Sequence, residues 1–301
     1  MSLERLDRGR MKQLLAEAGI RLRRSSGQNF LVEDDLCAAI ARAGEIGPGD
    51  VVLEVGVGLG VLTRHLVEQA GHVVGVELDA RVIEAARRLL GERDDLTLLH
   101  MDALERKNAL NPEVLATLRE RLAGGRALRV VSNLPYNVAT SLILLLLSAD
   151  LPLAGIVAMV QLEAAERFAA RRGDEGYGAV SVLCSALAEQ IEIVRRVPPE
   201  VFLPRPKVTS AVIRIVPRPD RQAGYETLSR IVRGLFNYRR KRVVKAARLA
   251  VKATPSLAGL EEAARALELP HPEARPEDLS LKDFRALGAA VQVHETHRPA
   301  P

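Results

Sequence analysis

Short runs of β-branched and aliphatic residues alternate with longer amphipathic stretches between Val51 and Val216. This alternation predicts βαβ units, and therefore an α/β fold with a mostly parallel sheet. Seven strands are predicted at 51–55, 72–77, 96–100, 128–132, 155–161, 191–197 and 209–216. Helices are predicted between them at 60–70, 80–90, 112–123, 138–149, 163–171 and 177–188. The last two strands are joined without a helical period, so we expect them to pair antiparallel.

The pattern changes to helices alone after Pro217-Arg218-Pro219. Apolar residues from Leu228 to Phe236 recur at helical spacing, a second helix is predicted at 260–267, and Ser280 with Asp283 is predicted to cap a third. The expected organisation is an α/β domain over 1–217, a smaller all-helical domain over 218–293, and a disordered tail over 294–301. The first domain is expected to open with a basic arm and a helix near 33–43.

Composition excludes several classes of protein. The apolar fraction of 48% over 301 residues supplies a sizeable core. The longest apolar stretch, around 141–147, is far shorter than the roughly 18 residues of a membrane span, so none is predicted. The charged N-terminus lacks the apolar core of a secretion signal, and a cytoplasmic location is expected. The two cysteines, Cys37 and Cys184, lie in no zinc-binding pattern, so no metal is expected.

A glycine turn follows the first predicted strand. Gly56, Gly58 and Gly60 precede a predicted helix, a context in which glycine lets the backbone approach a ligand closely. Glu77 ends the second strand, where a carboxylate can accept from both hydroxyls of a ribose, and Asp102 follows the third, where it can accept from an adenine amino group. The glycine turn and Glu77, taken without Asp102, also fit an NAD site, and the glycine turn also fits a tight turn that binds no ligand. S-adenosylmethionine fits the whole set best.

The tetrapeptide Asn133-Leu134-Pro135-Tyr136 follows the fourth predicted strand. It suits methyl transfer to an exocyclic amine such as adenine N6, whose lone pair is delocalised into the ring. The Asn133 side-chain oxygen and the Leu134 carbonyl can accept from the two amino hydrogens, because Pro135 holds Leu134 extended. Tyr136 then offers a face for the base. In isolation the tetrapeptide is also typical of an ordinary strand-ending turn.

No strong general base is required at such a site, because the nitrogen becomes acidic as it is alkylated. Positioning of the amine in line with the methyl donor then supplies most of the catalysis. The histidines agree with this interpretation. His65, His72 and His100 fall in predicted helix or strand contexts, and we expect them to be structural.

Nine basic side chains and no acidic one lie between Arg230 and Lys252, in a chain of net charge +5. A helix face that is only solvated usually mixes the two signs of charge. The asymmetry therefore favours contacts to the phosphates of a polyanionic partner. A basic helix that only keeps the protein soluble remains the alternative.

Seven motifs, in order along nearly the whole chain, resemble those of the ribosomal RNA adenine N6,N6-dimethyltransferase family, and most of all its bacterial small-subunit branch. They are Gly27-Gln28-Asn29-Phe30-Leu31, Glu54 to Gly60, Glu77-Leu78-Asp79, Asp102-Ala103, Asn133 to Asn137, Phe202 to Ser210, and Phe236 to Lys241. The resemblance implies a Rossmann-like class I S-adenosylmethionine-dependent methyltransferase domain, with a seven-stranded and mostly parallel sheet, followed by a smaller helical domain. It also implies dimethylation of adenosines in a loop near the 3′ end of small-subunit rRNA. The expected partner is this rRNA in an assembling small ribosomal subunit, and the expected enzyme is a monomer without metal.

The resemblance also assigns roles to individual residues. Gln28 and Asn29 would contact the methionine end of the cofactor, Glu77 its ribose and Asp102 its adenine. The complete predicted cofactor set is Gln28, Asn29, Leu31, Gly56, Gly58, Glu77, Leu78, Asp102, Ala103 and Asn133. The predicted catalytic set is Asn133, Leu134, Pro135, Tyr136 and Phe202. The residues predicted to bind RNA are Arg239, Arg240, Lys241, Arg242, Lys245 and Arg248.

The two aromatic residues of the catalytic set are predicted to stack on the faces of a target base flipped out of its RNA loop. For Phe202, a ring that only fills the core is the alternative. The chain also departs from the family pattern at two positions. Val57 stands where the family usually has proline, which could loosen the turn, and Ala139 stands where it usually has serine or threonine, which removes a hydroxyl near the target base.

Two rival functions share most of these features. One is a large-subunit rRNA adenine methyltransferase of the macrolide-resistance type, although such enzymes typically have isoleucine at the position of Leu134. The other is a non-enzymatic nucleic-acid-binding factor on the same fold. Intact Glu77, Asp102 and Asn133 argue against a loss of activity.

Overall fold

The structure, a computed structural model, describes residues 7–20 and 29–296, with side chains described as far as Val291. The chain divides into two compact units. The first unit holds the residues up to Ala165 together with Gln190–Pro217, and the second unit holds Glu166–Glu189 together with the residues from Arg218 onward. This division differs from the predicted one in the segment 166–189, which groups with the helices that follow Pro217.

Eleven strands occur in the described residues. They are β1 (Phe30–Leu31), β2 (Val51–Val55), β3 (His72–Glu77), β4 (Leu96–His100), β5 (Leu104–Arg106), β6 (Ala109–Leu110), β7 (Leu128–Asn133), β8 (Leu153–Gln161), β9 (Ala188–Val197), β10 (Phe202–Leu203) and β11 (Ser210–Pro217).

Twelve α-helices occur in the same part of the chain. They are α1 (Arg8–Glu17), α2 (Asp34–Ala43), α3 (Thr63–Val67), α4 (Ala80–Leu90), α5 (Pro112–Arg121), α6 (Ala139–Ser148), α7 (Leu162–Ala169), α8 (Ala179–Leu187), α9 (Tyr225–Phe236), α10 (Val243–Ala253), α11 (Leu260–Ala266) and α12 (Leu281–Thr296). None of the described helices is both long enough and apolar enough to cross a membrane.

Seven strands form one sheet in the order β4-β3-β2-β7-β8-β11-β9. The pairs from β4 to β8 are parallel, and β11 pairs antiparallel with β8. The predicted seven-stranded, mostly parallel sheet is therefore confirmed, and the two last predicted strands are neighbours. Parallel pairing brings the carboxyl ends of β4, β3, β2 and β7 to one edge of the sheet.

The ends of several helices follow from individual residues. Asp79 caps α4 by accepting a hydrogen bond from the Arg81 N–H, and Gly91 ends that helix with a φ of +70°. The predicted cap of the last helix is confirmed, since the Ser280 N–H donates to Asp283 Oδ2 at 2.7 Å. Helix α3 begins later than predicted, because Gly60, with a φ of +79°, is left-handed and cannot be its first residue.

Two further elements differ from the prediction. The basic arm contains α1, whose Met11 and Leu15 are buried in the core of the first unit. The last helix continues to Thr296, three residues into the segment predicted as a disordered tail. Residues 297–301, and the part of the basic arm at 21–28, lie outside the described residues.

In the second unit, α9 packs against α8, α10 and α12. The predicted stripe Leu228, Ile231, Val232 and Leu235 is buried, and the rings of Phe236 and Phe284 stack with centroids 5.9 Å apart. Apolar burial at helical spacing therefore holds this unit together, as its sequence pattern predicts.

One carboxyl group is buried in the central sheet of the first unit. Glu54, near the end of β2, is only 1% exposed, and Thr63 donates a hydrogen bond to its Oε2 at 2.6 Å. Burial, opposed by this hydrogen bond and reinforced by the negative charge of Glu77, raises the pKa of Glu54 to about 8. The carboxyl is therefore mostly protonated at neutral pH.

This pKa predicts a pH-dependent stability that a Glu54→Gln variant lacks. A carboxyl whose pKa is higher in the folded than in the unfolded chain binds more protons when folded, so the wild type loses stability as pH rises from about 5 to 8. Relative to Glu54→Gln, the loss should approach about 1.4 kcal/mol per pH unit. Urea unfolding at several pH values measures it.

Glu84→Gln is the matched control, because Glu84 is half exposed on α4 and the same chemical change there should leave the pH dependence unaltered. If the wild type and Glu54→Gln show the same slope of stability against pH, Glu54 is ionised in the folded protein and the interpretation is wrong.

Candidate active site

A cavity of about 590 Å³ opens at the carboxyl ends of β2, β3, β4 and β7 in the first unit. It is lined by the glycine turn after β2, by Glu77, by Asp102 and by Asn133. The four features that the sequence places at the ends of successive strands therefore share one site.

Gly56 brings the glycine turn against the end of β7. Its φ of +87° belongs to the left-handed region, and a Cβ there would lie 3.4 Å from the Asn133 carbonyl oxygen and 3.5 Å from Pro135 Cδ. Those distances are ordinary van der Waals contacts, so the positive φ, rather than a lack of space, favours glycine where the two turns meet.

Val57 and Ala139, the two residues that depart from the family pattern, are both buried. Val57 is 4% exposed and packs with Ala86 and Leu90, so its side chain anchors the glycine turn to α4. Ala139 is buried as the first residue of α6 and does not line the cavity, whereas Val138 does.

Glu77 connects two walls of the cavity. Its Oε2 accepts from the Gly58 N–H at 3.1 Å, and its Oε1 accepts from the Leu78 and Asp79 N–H groups at 2.9 and 3.0 Å. A carboxylate has about four acceptor positions, so about one remains for a ligand. The geometry favours one strong hydroxyl contact rather than the two that the sequence predicts.

Asp102 is an exposed side chain that lines the same cavity. Its Oδ1 accepts from the Leu104 N–H at 2.9 Å, and no hydrogen bond to its Oδ2 is found among the described residues. Ala103 and Leu31 also line the cavity and are buried, while Leu78 is 66% exposed. A large apolar side chain beside an acceptor suits a flat, partly apolar ligand with an amino group, such as a purine.

The Asn133 side chain has a fixed orientation. Its Nδ2 donates to the main-chain carbonyl of Asn29 at 3.2 Å. Because this contact occupies the side-chain nitrogen, the amide oxygen is the atom that can accept a hydrogen bond from a ligand. Asn29, which also lines the cavity, therefore sets which atom of Asn133 is available.

The turn after Asn133 is held from two sides. The Leu134 N–H donates to the Met159 carbonyl on β8 at 3.1 Å, and the Leu134 side chain is buried. The Pro135 carbonyl accepts from the N–H groups of Val138 and Ala139 at 3.1 Å each and so begins α6. Within the described residues the Leu134 carbonyl accepts no hydrogen bond, which leaves it available as the second acceptor.

Tyr136 lines the cavity with a half-buried ring. Its hydroxyl forms a 2.6 Å hydrogen bond with the hydroxyl of Ser210, which is fully buried at the start of β11. Burial, only partly offset by this hydrogen bond, raises the pKa of Tyr136, so its phenol stays neutral at physiological pH.

The structure contradicts the stacking role predicted for Phe202. Its ring is completely buried in the core of the first unit and does not line the cavity. The reason is the short antiparallel pairing of β10 with β1, which places Phe202 opposite Leu31, while Arg8 donates to the Phe202 carbonyl at 3.4 Å. Phe202 is therefore a packing residue, the alternative that its sequence context left open.

Several lining residues were not identified from sequence. Met11 on α1 and the exposed His100 at the end of β4 both line the cavity, and His100 Nε2 lies 3.2 Å from the Leu78 carbonyl oxygen. The sequence signal that could have identified His100 as a lining residue is its position two residues before Asp102. Gln28, predicted at the methionine end, lies outside the described residues. No group of three His, Cys, Asp or Glu side chains in the described part of the chain could hold a metal ion.

The six residues predicted to bind RNA belong to the second unit. Four of them, Arg239, Arg240, Lys241 and Arg242, lie in the turn between α9 and α10, and Lys245 and Arg248 lie on α10. All six are exposed. Arg242 forms an ion pair with Glu273, and Arg248 forms one with Glu261 at 2.8 Å. The other four pair with no carboxylate among the described residues.

Solved structures share this fold. A dimethyladenosine transferase from Plasmodium falciparum has a TM-score of 0.66 at 23% identity, and covers 86% of this chain and 95% of its own. The 23S rRNA methyltransferase ErmE has a TM-score of 0.59 at 23% identity, over 88% of this chain and 100% of its own. These likenesses confirm a Rossmann-like methyltransferase fold.

Sequence relatives cover nearly the whole chain. A ribosomal RNA small subunit methyltransferase A from Moorella thermoacetica is 37% identical over 94% of this chain and 97% of its own length. A protein of the same name from Geobacillus thermodenitrificans is 34% identical over 94% and 95%. The family model described as ribosomal RNA adenine dimethylase matches residues 19–265. The chain, with its glycine turn, Glu77, Asp102 and Asn133 gathered around one cavity, belongs to the ribosomal RNA adenine dimethylase family.

Proposed function

We propose that this protein uses S-adenosylmethionine to dimethylate the N6 atoms of adenosines in a loop near the 3′ end of small-subunit rRNA, during assembly of the small ribosomal subunit. The observation that carries the proposal is the orientation of Asn133, whose nitrogen is bound to the Asn29 carbonyl and whose oxygen is left for an amine. Action on rRNA agrees with the expected cytoplasmic location.

The residues of the cavity fit S-adenosylmethionine. The glycine turn allows close approach of a ligand, Glu77 retains about one acceptor position for a ribose hydroxyl, and Asp102 Oδ2 suits an adenine amino group. The exposed Leu78 suits the face of the adenine ring. When bound, the cofactor supplies an electrophilic methyl group on a sulfonium.

The chain's own residues would orient the target amine. The Asn133 amide oxygen and the Leu134 carbonyl are the two acceptors, and with both amino hydrogens held, the nitrogen lone pair turns toward the methyl donor. Tyr136 offers one face for the base. Such positioning is the main source of rate in transfers of this kind. After the first methyl transfer, one of the two acceptors loses its hydrogen, and the shape of the cavity has to hold the base for the second.

The relatives favour the small subunit over the large. Those that match at 32–37% identity over at least 94% of this chain are named small-subunit enzymes. ErmE, named a 23S rRNA methyltransferase, is similar in fold at 23% identity. We therefore expect dimethyladenosine in unmodified small subunits treated with the protein and labelled donor, detected by nucleoside mass analysis, and none in large subunits.

Asn133→Ala should slow methyl transfer by at least about 100-fold, because it removes a preorganised acceptor at the reacting nitrogen. Single-turnover transfer to small subunits measures the rate. Asn108→Ala, which removes an exposed amide in the turn between β5 and β6, should leave the rate unchanged. Wild-type transfer by Asn133→Ala, with RNA binding intact, would show that the amide is not catalytic.

Glu77→Gln should weaken binding of S-adenosylmethionine by about 10- to 100-fold, because a charged acceptor is lost and an amide nitrogen would face N–H donors. Calorimetric titration measures the dissociation constant. Glu84→Gln, the same change on the exposed face of α4, is the control. Equal affinity in Glu77→Gln and wild type would remove Glu77 from the cofactor site.

For rRNA binding, the unpaired cations should matter more than the paired ones. Changing Arg240 and Lys241 to Gln should lower the slope of log affinity against log salt by about 1.5 to 2. Changing Arg242 and Arg248 should lower it less, because their carboxylate partners already neutralise them. Filter binding across a salt series measures both slopes, and equal reductions would refute the distinction.

A further inference from the structure

The hydrogen bond between Tyr136 and Ser210 joins a residue of the cavity to one of the least accessible positions of the sheet. Ser210 has no exposed surface, and its Oγ lies 2.6 Å from the Tyr136 hydroxyl oxygen. The two residues are 74 positions apart in the chain. Tyr136 faces the cavity, whereas Ser210 does not line it.

Ser210 is itself held firmly in place. It is the first residue of β11 and pairs with Gln161 on β8, in a ladder that continues through Ala211 opposite Val160. The Leu162 N–H extends this contact by donating to the Thr209 carbonyl at 3.0 Å. The main chain that carries the Ser210 hydroxyl is therefore fixed in the sheet.

The same end of β8 also holds the main chain of the turn that carries Tyr136. The Leu134 N–H donates to the Met159 carbonyl, and Met159 pairs with Val212 on β11. The Tyr136 side chain is thus held at its Cα by the turn and at its hydroxyl by Ser210. Two attachment points stop the ring from rotating out of position, which removes rotamer freedom before a base arrives.

We propose that Ser210 is a positioning residue for methyl transfer: its hydroxyl holds the Tyr136 ring in the orientation in which the ring stacks on the target adenine. This inference rests on the proposed function, since it concerns the same cavity. The competing explanation is that Ser210 only satisfies a buried phenol, which affects stability and not the reaction.

The two explanations differ in what Ser210→Ala does to transfer. If the hydroxyl positions the ring, Ser210→Ala should lower the single-turnover rate on unmodified small subunits by about tenfold. This factor corresponds to the free energy that one hydrogen bond contributes. The dissociation constant of S-adenosylmethionine should stay unchanged, because Ser210 does not line the cavity. Ser210→Thr, which keeps the hydroxyl, should restore the rate.

A double-mutant cycle tests whether Ser210 acts through Tyr136. Tyr136→Phe keeps the ring and removes the hydroxyl, so it should slow transfer about as much as Ser210→Ala, and the double variant should be no slower than either. Losses that multiply in the double variant would show that Ser210 acts independently, and would overturn the proposal.

Thr97→Val is the matched control for stability. The Thr97 hydroxyl bonds His72 Nε2 at 2.8 Å in the same unit, and neither residue lines the cavity. This variant should lower the unfolding midpoint and leave the transfer rate at the wild-type value. If Ser210→Ala transfers methyl groups at the wild-type rate, the positioning role of Ser210 is wrong.

Failure of the inference can be separated from failure of the proposed function. If the wild type methylates adenosine and Asn133→Ala does not, while Ser210→Ala matches the wild type, only the role of Ser210 is wrong. If the wild type produces no methylated adenosine in small subunits, the proposed function itself is wrong.

Discussion

The site depends on the close approach of two turns at one edge of the sheet. β2 and β7 are parallel neighbours, so the glycine turn and the Asn133–Pro135 turn leave the sheet side by side, and Gly56 supplies the left-handed φ at the point where they meet. Around this contact the cavity has one wall from the ends of β2, β3 and β4, where we propose that the cofactor binds, and another from β7, where we propose that the base binds. A transfer reaction needs its two partners within contact distance, and neighbouring walls of one cavity suit the proposed methyl transfer for this reason.

Much of the fold could be predicted from sequence because its signals are local. Runs of β-branched and aliphatic residues identified the seven strands, and helical apolar patterns identified most helices. The acidic and amide residues at strand ends converge because parallel strands share one edge. Left-handed glycines also set the boundaries of elements, but the residue pattern does not show which glycines are left-handed. Gly60 ends the glycine turn and shortens α3, a detail that depends on backbone angles that the residue pattern does not state.

The parts that sequence reasoning missed are contacts between distant segments. Phe202 is buried because β10 pairs with β1, about 170 residues away, and nothing in its own surroundings marks the ring as internal. The bond from Asn133 to the Asn29 carbonyl and the bond from Tyr136 to Ser210 are of the same kind. The grouping of residues 166–189 with the C-terminal helices is likewise a matter of packing partners rather than of local pattern.

The three hydrogen bonds of Glu77 have a consequence for discrimination among nucleotides. The carboxylate ties β3 to the glycine turn, so this side of the pocket is preorganised and yields to a larger ligand only by breaking bonds to the backbone. In the proposed ribose contact, its remaining acceptor position suits a neutral sugar hydroxyl and repels an anion. In the proposed cofactor site, charge and rigidity would together disfavour a cofactor with a phosphate on its ribose, as in NADP.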